Sequence, residues 1–365
     1  MKKIKVAFVG LAHTHAPILG RAIREHIEDY EIVGFAEAPL PIPDMQCYTG
    51  ARELFKDELG VKEYENWRDL LDVDLDLCIV NSTNASREEI CCAFLDKGVH
   101  VLDEKPMATD YKGALHMCRS AKEHGVYMLT NWPIAWWQAF HKAKEIVESG
   151  RIGKLLRVTY RSPATWGPFS YSKDGRNPPP EVLGEKWWYK DEMGGGSVFD
   201  YACYGAMIST YVFGKRAERV MGLVKNLDNP ELNVTDFSAM MLDFGDTVGL
   251  LEGSWVSYNP GDIPSGPVFY GTEGTVICDR RLTTVKIFDG RNHCMSEPSE
   301  IIDAGPDTQH AHFGEHLANI VRGIEKPHPM LTSEINLAVC AALDAGIQSS
   351  KTNIVTPIPK DEFTF

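Results

Sequence analysis

The sequence predicts an α/β fold, with a parallel sheet over residues 1–130 and a second domain over 131–365 built on a large, open, mostly antiparallel sheet. Three observations carry this. Short apolar runs alternate with helical spacings up to Leu129, the order of repeated strand–helix–strand units. Composition shifts after Asn131, where Trp132, Trp136 and Trp137 cluster. From 219 to 289, apolar and polar residues alternate between Gly-rich turns, the period of half-buried strands. At 365 residues the chain also exceeds what one core usually serves, so two domains are expected.

The 44% hydrophobic and 24% charged composition is that of an ordinary globular chain. A net charge of -14 and a pI near 5.3 argue against nucleic acid and anionic membrane partners. No apolar run approaches a membrane span. Lys2, Lys3 and Lys5 before Val6–Val9 imitate a signal peptide, but that run is too short and leads into His13-Thr14-His15. Nine cysteines form no disulfide framework and no zinc spacing. Reduced thiols in a cytosol are the expectation.

Lys5-Val6-Ala7-Phe8-Val9-Gly10 reads as a buried strand ending in glycine. Residues 15–28 then carry helical spacing, with Ile18, Leu19, Ala22, Ile23 and Ile27 on one side. Ile32–Ala36 is a second strand, ending at Glu37. Strand, tight turn, helix, strand, acid is the order of a dinucleotide-binding unit. The turn Gly10-Leu11-Ala12-His13-Thr14-His15 keeps only the first glycine of G-x-G-x-x-G. Ala12 is small enough for a pyrophosphate to approach the backbone, while His15 stands where a glycine usually packs helix on strand. Taken alone, this is equally an ordinary strand-to-helix turn. Glu37 favours the cofactor reading: a carboxylate there accepts ribose hydroxyls and repels a 2′-phosphate, so NAD is expected over NADP.

Leu75–Val80 is another strand, leading into Ser82, Thr83 and Asn84, which suit a sugar or pyrophosphate edge and equally suit helix capping. A helix over about 86–97 precedes the strand Val99–Glu104. Pro106 has no N–H with which to continue a ladder, so Lys105 is held at the strand's exit. Open α/β sheets bind ligands at such exits. A helix over 110–124 and a strand at Val126–Leu129 complete the alternation.

In the second half, a helix reaches Gly150 and Leu155–Tyr160 alternates as a strand. The segment 161–193 is Pro-rich and aromatic (Trp166, Phe169, Tyr171, Pro178-Pro179-Pro180, Trp187, Trp188, Tyr189), the pattern of a lid or binding loop. Gly194-Gly195-Gly196 precedes Ser197 and Asp200, which read as an S-x-x-D capping box. Tyr204 falls on the same helical face as Asp200, so a carboxylate and a phenol stand side by side. Helices over 312–323 and 333–349 close the chain. His310, His312 and His316 are expected to start a helix or line a pocket, with no metal bound.

With these pieces placed, the chain resembles the glucose–fructose oxidoreductase / inositol dehydrogenase / rhizopine-catabolism (Gfo/Idh/MocA) family. The carriers are Glu104-Lys105-Pro106, Gly194-Gly195-Gly196 followed by Asp200, Ser82-Thr83-Asn84, Gly150–Lys154 and Gly271-Thr272-Glu273-Gly274. The resemblance implies a Rossmann domain, a C-terminal domain with an open sheet, and NAD(P)-dependent oxidation of sugars or cyclic polyols. It also implies a cis Lys105–Pro106 peptide and a homodimer or homotetramer assembled through the open sheet. It assigns Gly10, Ala12, His13, Thr14, His15, Glu37, Ser82, Thr83, Asn84, Glu104 and Lys105 to the cofactor, and Lys105, Asp200 and Tyr204 to catalysis. Three positions depart from the family pattern. The turn lacks two glycines, Arg87 stands where relatives commonly carry a His, and Tyr204 replaces the His that usually follows Asp200. Tyr at the last position points to a branch that includes dimeric dihydrodiol dehydrogenase.

The expected chemistry is hydride transfer from a ring carbon, coupled to removal of its hydroxyl proton. A free phenol titrates near 10, and a neighbouring Lys105 ammonium would favour phenolate. The rival readings are a glycosidase that uses NAD for transient oxidation and a non-catalytic NAD-binding sensor or co-regulator.

Overall fold

The computed structural model describes the chain except residues 1, 14, 39–49, 164–179, 229, 258–263, 279–282, 291–296, 307–308 and 365. By compactness the chain divides into two units. The first comprises Met1–Trp132, Pro178–Gly195 and Gln309–Cys340, and the second Pro133–Asn177, Gly196–Thr308 and Ala341–Phe365.

The first unit holds six strands: β1 (Ile4–Val9), β2 (Tyr30–Ala36), β3 (Glu63–Tyr64), β4 (Leu77–Val80), β5 (His100–Glu104) and β6 (Met128–Asn131). All pair in parallel, in the order β3-β2-β1-β4-β5-β6. That is the doubly wound order whose switch point falls between β1 and β4. The strands are continuous apolar runs because both faces of such a sheet are covered, and every residue of β4 is buried. The connecting helices include α1 (Ala16–Glu25), the short α2 (Gly50–Glu53), α3 (Arg87–Leu95) and α4 (Tyr111–His124). Local chemistry sets the limits of α4. The Asp110 carboxylate accepts from the Gly113 N–H at 2.8 Å, and Gly125 ends the helix in the left-handed conformation.

Two later segments complete this unit. The Tyr30 hydroxyl donates to the Gly314 carbonyl at 2.6 Å, Arg322 pairs with Asp29 at 2.6 Å, and the Trp132 indole donates to Asn336 at 2.7 Å. These later residues lie on α8 (Gln309–Val321) and α9 (Ser333–Thr352) and just after α8.

The second unit carries α5 (Gln138–Glu148) and α7 (Cys203–Phe213), while α6 (Pro180–Leu183), between them in sequence, belongs to the first. Its sheet is built from β7 (Leu155–Pro163), β8 (Arg219–Lys225), β9 (Phe237–Asp243), β10 (Val248–Ser254), β11 (Gly266–Gly271), β12 (Gly274–Cys278), β13 (Thr284–Asp289), β14 (Glu300–Asp303) and β15 (Thr356–Pro357). The order is β14-β13-β12-β11-β7-β10-β9-β8-β15, antiparallel except for the β7–β10 pair. One face lies against α7 and the end of α9. On the other, Met221, Leu223 and Met241 are about half exposed, and a groove of about 640 Å³ runs over Thr159, Leu250 and Val355.

Backbone meets backbone where α9 crosses the sheet. A Cβ built on Gly222 would stand 2.2 Å from the Gly346 carbonyl oxygen. Neither partner is a flexible side-chain end that can move aside. Gly222→Ala should therefore cost about 1–3 kcal/mol, the usual scale of overpacking, read as a lower urea midpoint at unchanged slope.

Candidate active site

The exits of the parallel strands bring the expected cofactor residues to one edge of the first sheet. Gly10 ends β1 with φ +78°, and a Cβ there would stand 2.7 Å from the Ser82 amide nitrogen, so only glycine lets the two exits lie this close. Glu37 follows β2, and one carboxylate oxygen accepts the Leu11 N–H at 3.3 Å. Burial pushes the Glu37 carboxyl up to about 7, against the lowering pull of that N–H and of Arg52. Thr14 lies outside the described residues, as do Trp166, Phe169, Tyr171, Pro178 and Pro179 of the aromatic segment.

His13 and His15 converge on Glu104. The Glu104 carboxylate is fully buried, with His15 Nδ1 at 2.6 Å from Oε2, His13 Nδ1 at 3.4 Å from the same oxygen, and the Asn131 amide donating to Oε1. Three such donors are also a possible metal set. Hydrogen bonding accounts for them more fully, because His13 Nδ1 already accepts the His15 backbone N–H at 3.2 Å. Burial first, then the neighbouring His15, Arg87 and Lys105, push the His13 imidazole down, so it stays neutral. His26, Glu28 and Asp29 form a second such group, but Asp29 is taken up by Arg322.

The Ser82–Asn84 turn is occupied by local bonds. Thr83 and Ser86 hydroxyls meet at 2.9 Å, and the Asn84 amide donates to the Gly194 carbonyl at 2.7 Å. A Cβ on Gly194 would strike Asn84 and Thr109, which explains the first glycine of the run. Trp187 reaches the cofactor turn directly, its indole donating to the Ala12 carbonyl at 2.9 Å. Trp188 stacks on it with centroids 3.9 Å apart and meets His13 edge-on. Of the aromatic segment, Trp187, Trp188 and Tyr189 are buried, with Trp187 and Trp188 packed against this turn.

Lys105 is buried, and the Lys105–Pro106 peptide is cis. What fixes this corner is Arg87. Its guanidinium donates to the Glu104 carbonyl at 2.5 Å, the Pro106 carbonyl at 2.6 Å and the Ser82 carbonyl at 3.5 Å. The sequence marks Arg87 as a departure without revealing this role. Its spacing from Ile90, Cys91 and Phe94, the buried face of α3, was the available signal.

In the second unit, Asp200 lies in a π-helical turn, Val198–Ala202, just before α7. The capping box does not form. Ser197 is in helical conformation with no side-chain cap, and its hydroxyl donates to Ser238 Oγ at 3.2 Å. The Asp200 carboxylate instead accepts the Trp255 indole N–H at 3.0 Å. Tyr204 is held between parallel rings, Trp137 at 5.7 Å and Tyr160 at 6.1 Å between centroids. On α8, His316 pairs with Glu325 at 3.0 Å and accepts the His328 N–H, while the His310 side chain lies outside the described residues.

Comparison with known proteins places this arrangement. Residues 4–131 match the oxidoreductase family, NAD-binding Rossmann fold, and residues 140–277 match the GFO/IDH/MocA C-terminal domain. The chain belongs to the Gfo/Idh/MocA oxidoreductase family. Among curated Gfo/Idh/MocA relatives, a myo-inositol 2-dehydrogenase from Thermotoga maritima is 26% identical over 243 residues, 64% of this chain and 66% of that protein. A levoglucosan dehydrogenase from Pseudarthrobacter phenanthrenivorans is 24% identical over 58% of this chain and 57% of its own. The match thus spans about two thirds or less of these relatives' length. The WlbA dehydrogenase from Chromobacterium violaceum, solved with NADH and UDP-GlcNAcA, shares the fold at a TM-score of 0.79 and 18% identity, covering 99% of this chain and 97% of that one.

The residues present fit the NAD of a Gfo/Idh/MocA Rossmann fold. Gly10 keeps the β1 exit bare of a side chain beside Ser82, and the Glu37 carboxylate after β2 is of the kind that would accept ribose hydroxyls. No side chain caps the first turn of α1 among the described residues, but the Ala16 N–H already donates to the His13 carbonyl at 3.1 Å and Pro17 has no N–H.

With Glu37 on the ribose, cofactor choice is expected to depend on pH. Below about 7 its carboxyl is protonated in the cofactor-free protein, and above it the charge repels a 2′-phosphate. The ratio of NADPH to NADH dissociation constants should rise from about pH 6 to about pH 8 and flatten in Glu37→Gln, as read by cofactor fluorescence. The sign for stability is the reverse. A carboxyl raised on folding stabilises below its unfolded value, and that contribution is lost as pH rises through about 7.

Proposed function

We propose that the chain is an NAD-dependent dehydrogenase or reductase acting on a hydroxyl-bearing carbon of a sugar, glycoside or cyclic polyol. The observation that carries this reading is the buried Lys105 at the exit of β5, within an NAD-binding Rossmann fold. The names of the relatives, dehydrogenases of myo-inositol and levoglucosan, support the substrate class. In this reading residues 1–130 bind the cofactor, and 131–365 serve the substrate and self-association.

NAD, when bound, supplies the hydride acceptor. The residues supply proton traffic and position. In this reading Lys105 hydrogen-bonds the reacting oxygen, and the Tyr204 hydroxyl is the acceptor of the hydroxyl proton. Trp137 and Tyr160 hold the Tyr204 ring against rotation. Asp200 accepts a neighbouring substrate hydroxyl while Trp255 fixes its carboxylate. A cytosolic setting belongs to this reading: the seven described cysteines are all buried, as reduced thiols used for packing are.

Mass spectrometry for bound cofactor, followed by a panel of polyols, sugars and glycosides read by NADH absorbance, tests the assignment. Hydrolysis of a glycoside without net NADH would replace it with the redox-glycosidase reading. On the substrate so found, Lys105→Ala should cut turnover at least about a hundredfold. Tyr204→Phe should lower turnover far more than it changes KM, since only the hydroxyl is lost. Asp200→Asn keeps an acceptor for Trp255, so it should raise KM in a folded protein. A Tyr204→Phe enzyme with undiminished turnover would remove Tyr204 from the mechanism.

The exposed face of the second sheet supports a homodimer or homotetramer, because soluble chains seldom leave so apolar a surface uncovered. Light scattering should give two or four copies at micromolar concentration, and Met241→Glu should yield a folded monomer. A monomeric wild-type protein would refute this.

A further inference from the structure

We propose that Arg87 is a positioning residue for the reaction: its fork bends the chain at Lys105, so that the ammonium meets the reacting oxygen. This rests on the reading of Lys105 given above. The need for such a group begins with the sheet. The ladder between β4 and β5 ends at the Val80–Asp103 pair, and β5 meets β6 for one residue more, at Glu104 and Asn131. Lys105 and Pro106 lie beyond the end of β5, and Pro106 has no N–H to add. The carbonyls of Ser82, Glu104 and Pro106 lie past the ladder that β4 and β5 share, where backbone acceptors need another donor.

Arg87 supplies it. Its Nη1 donates to the Glu104 carbonyl at 2.5 Å and to the Pro106 carbonyl at 2.6 Å. The two carbonyls that flank Lys105 thus converge on one nitrogen, which draws residues 104–106 into a bend with Lys105 at its apex. Nη2 ties that bend to the exit of β4 through the Ser82 carbonyl at 3.5 Å. Each of these acceptors is a main-chain carbonyl, so the fork is devoted to backbone direction.

Local folding rules favour a different residue here. Arg87 opens α3, where the helix dipole disfavours a cation, and its side chain is fully buried, where a charge is most costly. Its Nε is buried with no hydrogen-bond partner among the described residues, so the guanidinium is incompletely satisfied. A residue unfavourable on three local counts that still grips both neighbours of Lys105 marks a functional constraint. Lysine would keep the charge and lose the fork, since a single ammonium cannot take the same spread of carbonyls. About 1 Å of misplacement at a reacting centre can lower the rate on the order of a hundredfold.

The test is a double-mutant cycle on the substrate found by the panel above. Arg87→Lys, Lys105→Ala and the two together are each checked for folding by circular dichroism and urea midpoint. Arg87→Lys should lower kcat at least about tenfold while KM changes less than about threefold. In the Lys105→Ala background the same change should lower kcat less than about twofold, because the group it aims is gone. The NADH affinity of Arg87→Lys, read by cofactor fluorescence, should stay within about threefold of wild type. If Arg87→Lys does not fold, Arg87→Gln, which keeps an NH2 group without the charge, takes its place in the cycle. Losses of kcat that are alike in both backgrounds, or an NADH affinity that falls in step with kcat, would make Arg87 a structural residue and overturn the proposal. So would an Arg87→Lys enzyme with undiminished kcat. A Lys105→Ala enzyme as fast as wild type would instead overturn the reading of Lys105 beneath it.

Discussion

Arg87 donates to the carbonyls of Ser82, Glu104 and Pro106, and those carbonyls lie where two neighbouring strands leave the parallel sheet. A fully buried guanidinium is costly to desolvate, and here both of its terminal nitrogens donate to carbonyls. Here the fork does what a lysine's point charge cannot, reaching both carbonyls that flank Lys105 and tying them to the exit of β4. Asp103, itself pushed up by burial, and Glu104 supply the compensating field. The direction in which Lys105 leaves β5, and the placement of Glu104 beneath the histidine turn, both follow from this clasp.

The same corner shows how a departure from a motif is absorbed. Losing glycines after β1 left room for side chains, and the structure fills it in two directions. His15 points toward Glu104, while Trp187 and Trp188 close the underside of the turn through Ala12 and His13. The turn's described residues are held by contacts from β5 and from the segment before Gly194.

Much of this was legible in the residues. The apolar runs from Val6 to Leu129, the single glycine at position 10, the acid at Glu37 and the Lys105-Pro106 exit each have a local physical cause, so a local reading finds them. What escaped depends on distant partners. The two-residue strand β3 has too little sequence to show a period. Ser197 and Asp200 spell a capping box, but Ser238 and Trp255, 41 and 55 residues away, offer those side chains other bonds. Trp187 has no local sign of its partner, because nothing nearby in sequence reveals the Ala12 carbonyl, 175 residues earlier. The pairing of His15 with Glu104 spans 89 residues and follows only from the strand order.

The first unit is stitched from three stretches of chain, and one stitch, from the Arg322 guanidinium to the Asp29 carboxylate, spans 293 residues. A ribosome adding roughly 5–20 residues per second would therefore expose β1 to β6 for many seconds before α8 emerges to cover α1. During that interval Tyr30, Asp29 and Trp132 lack the partners that later bury them. The parallel sheet is thus made first and finished last. The nascent chain spends its synthesis as a Rossmann core with one flank open, the state in which a chaperone or a premature stop codon would find it.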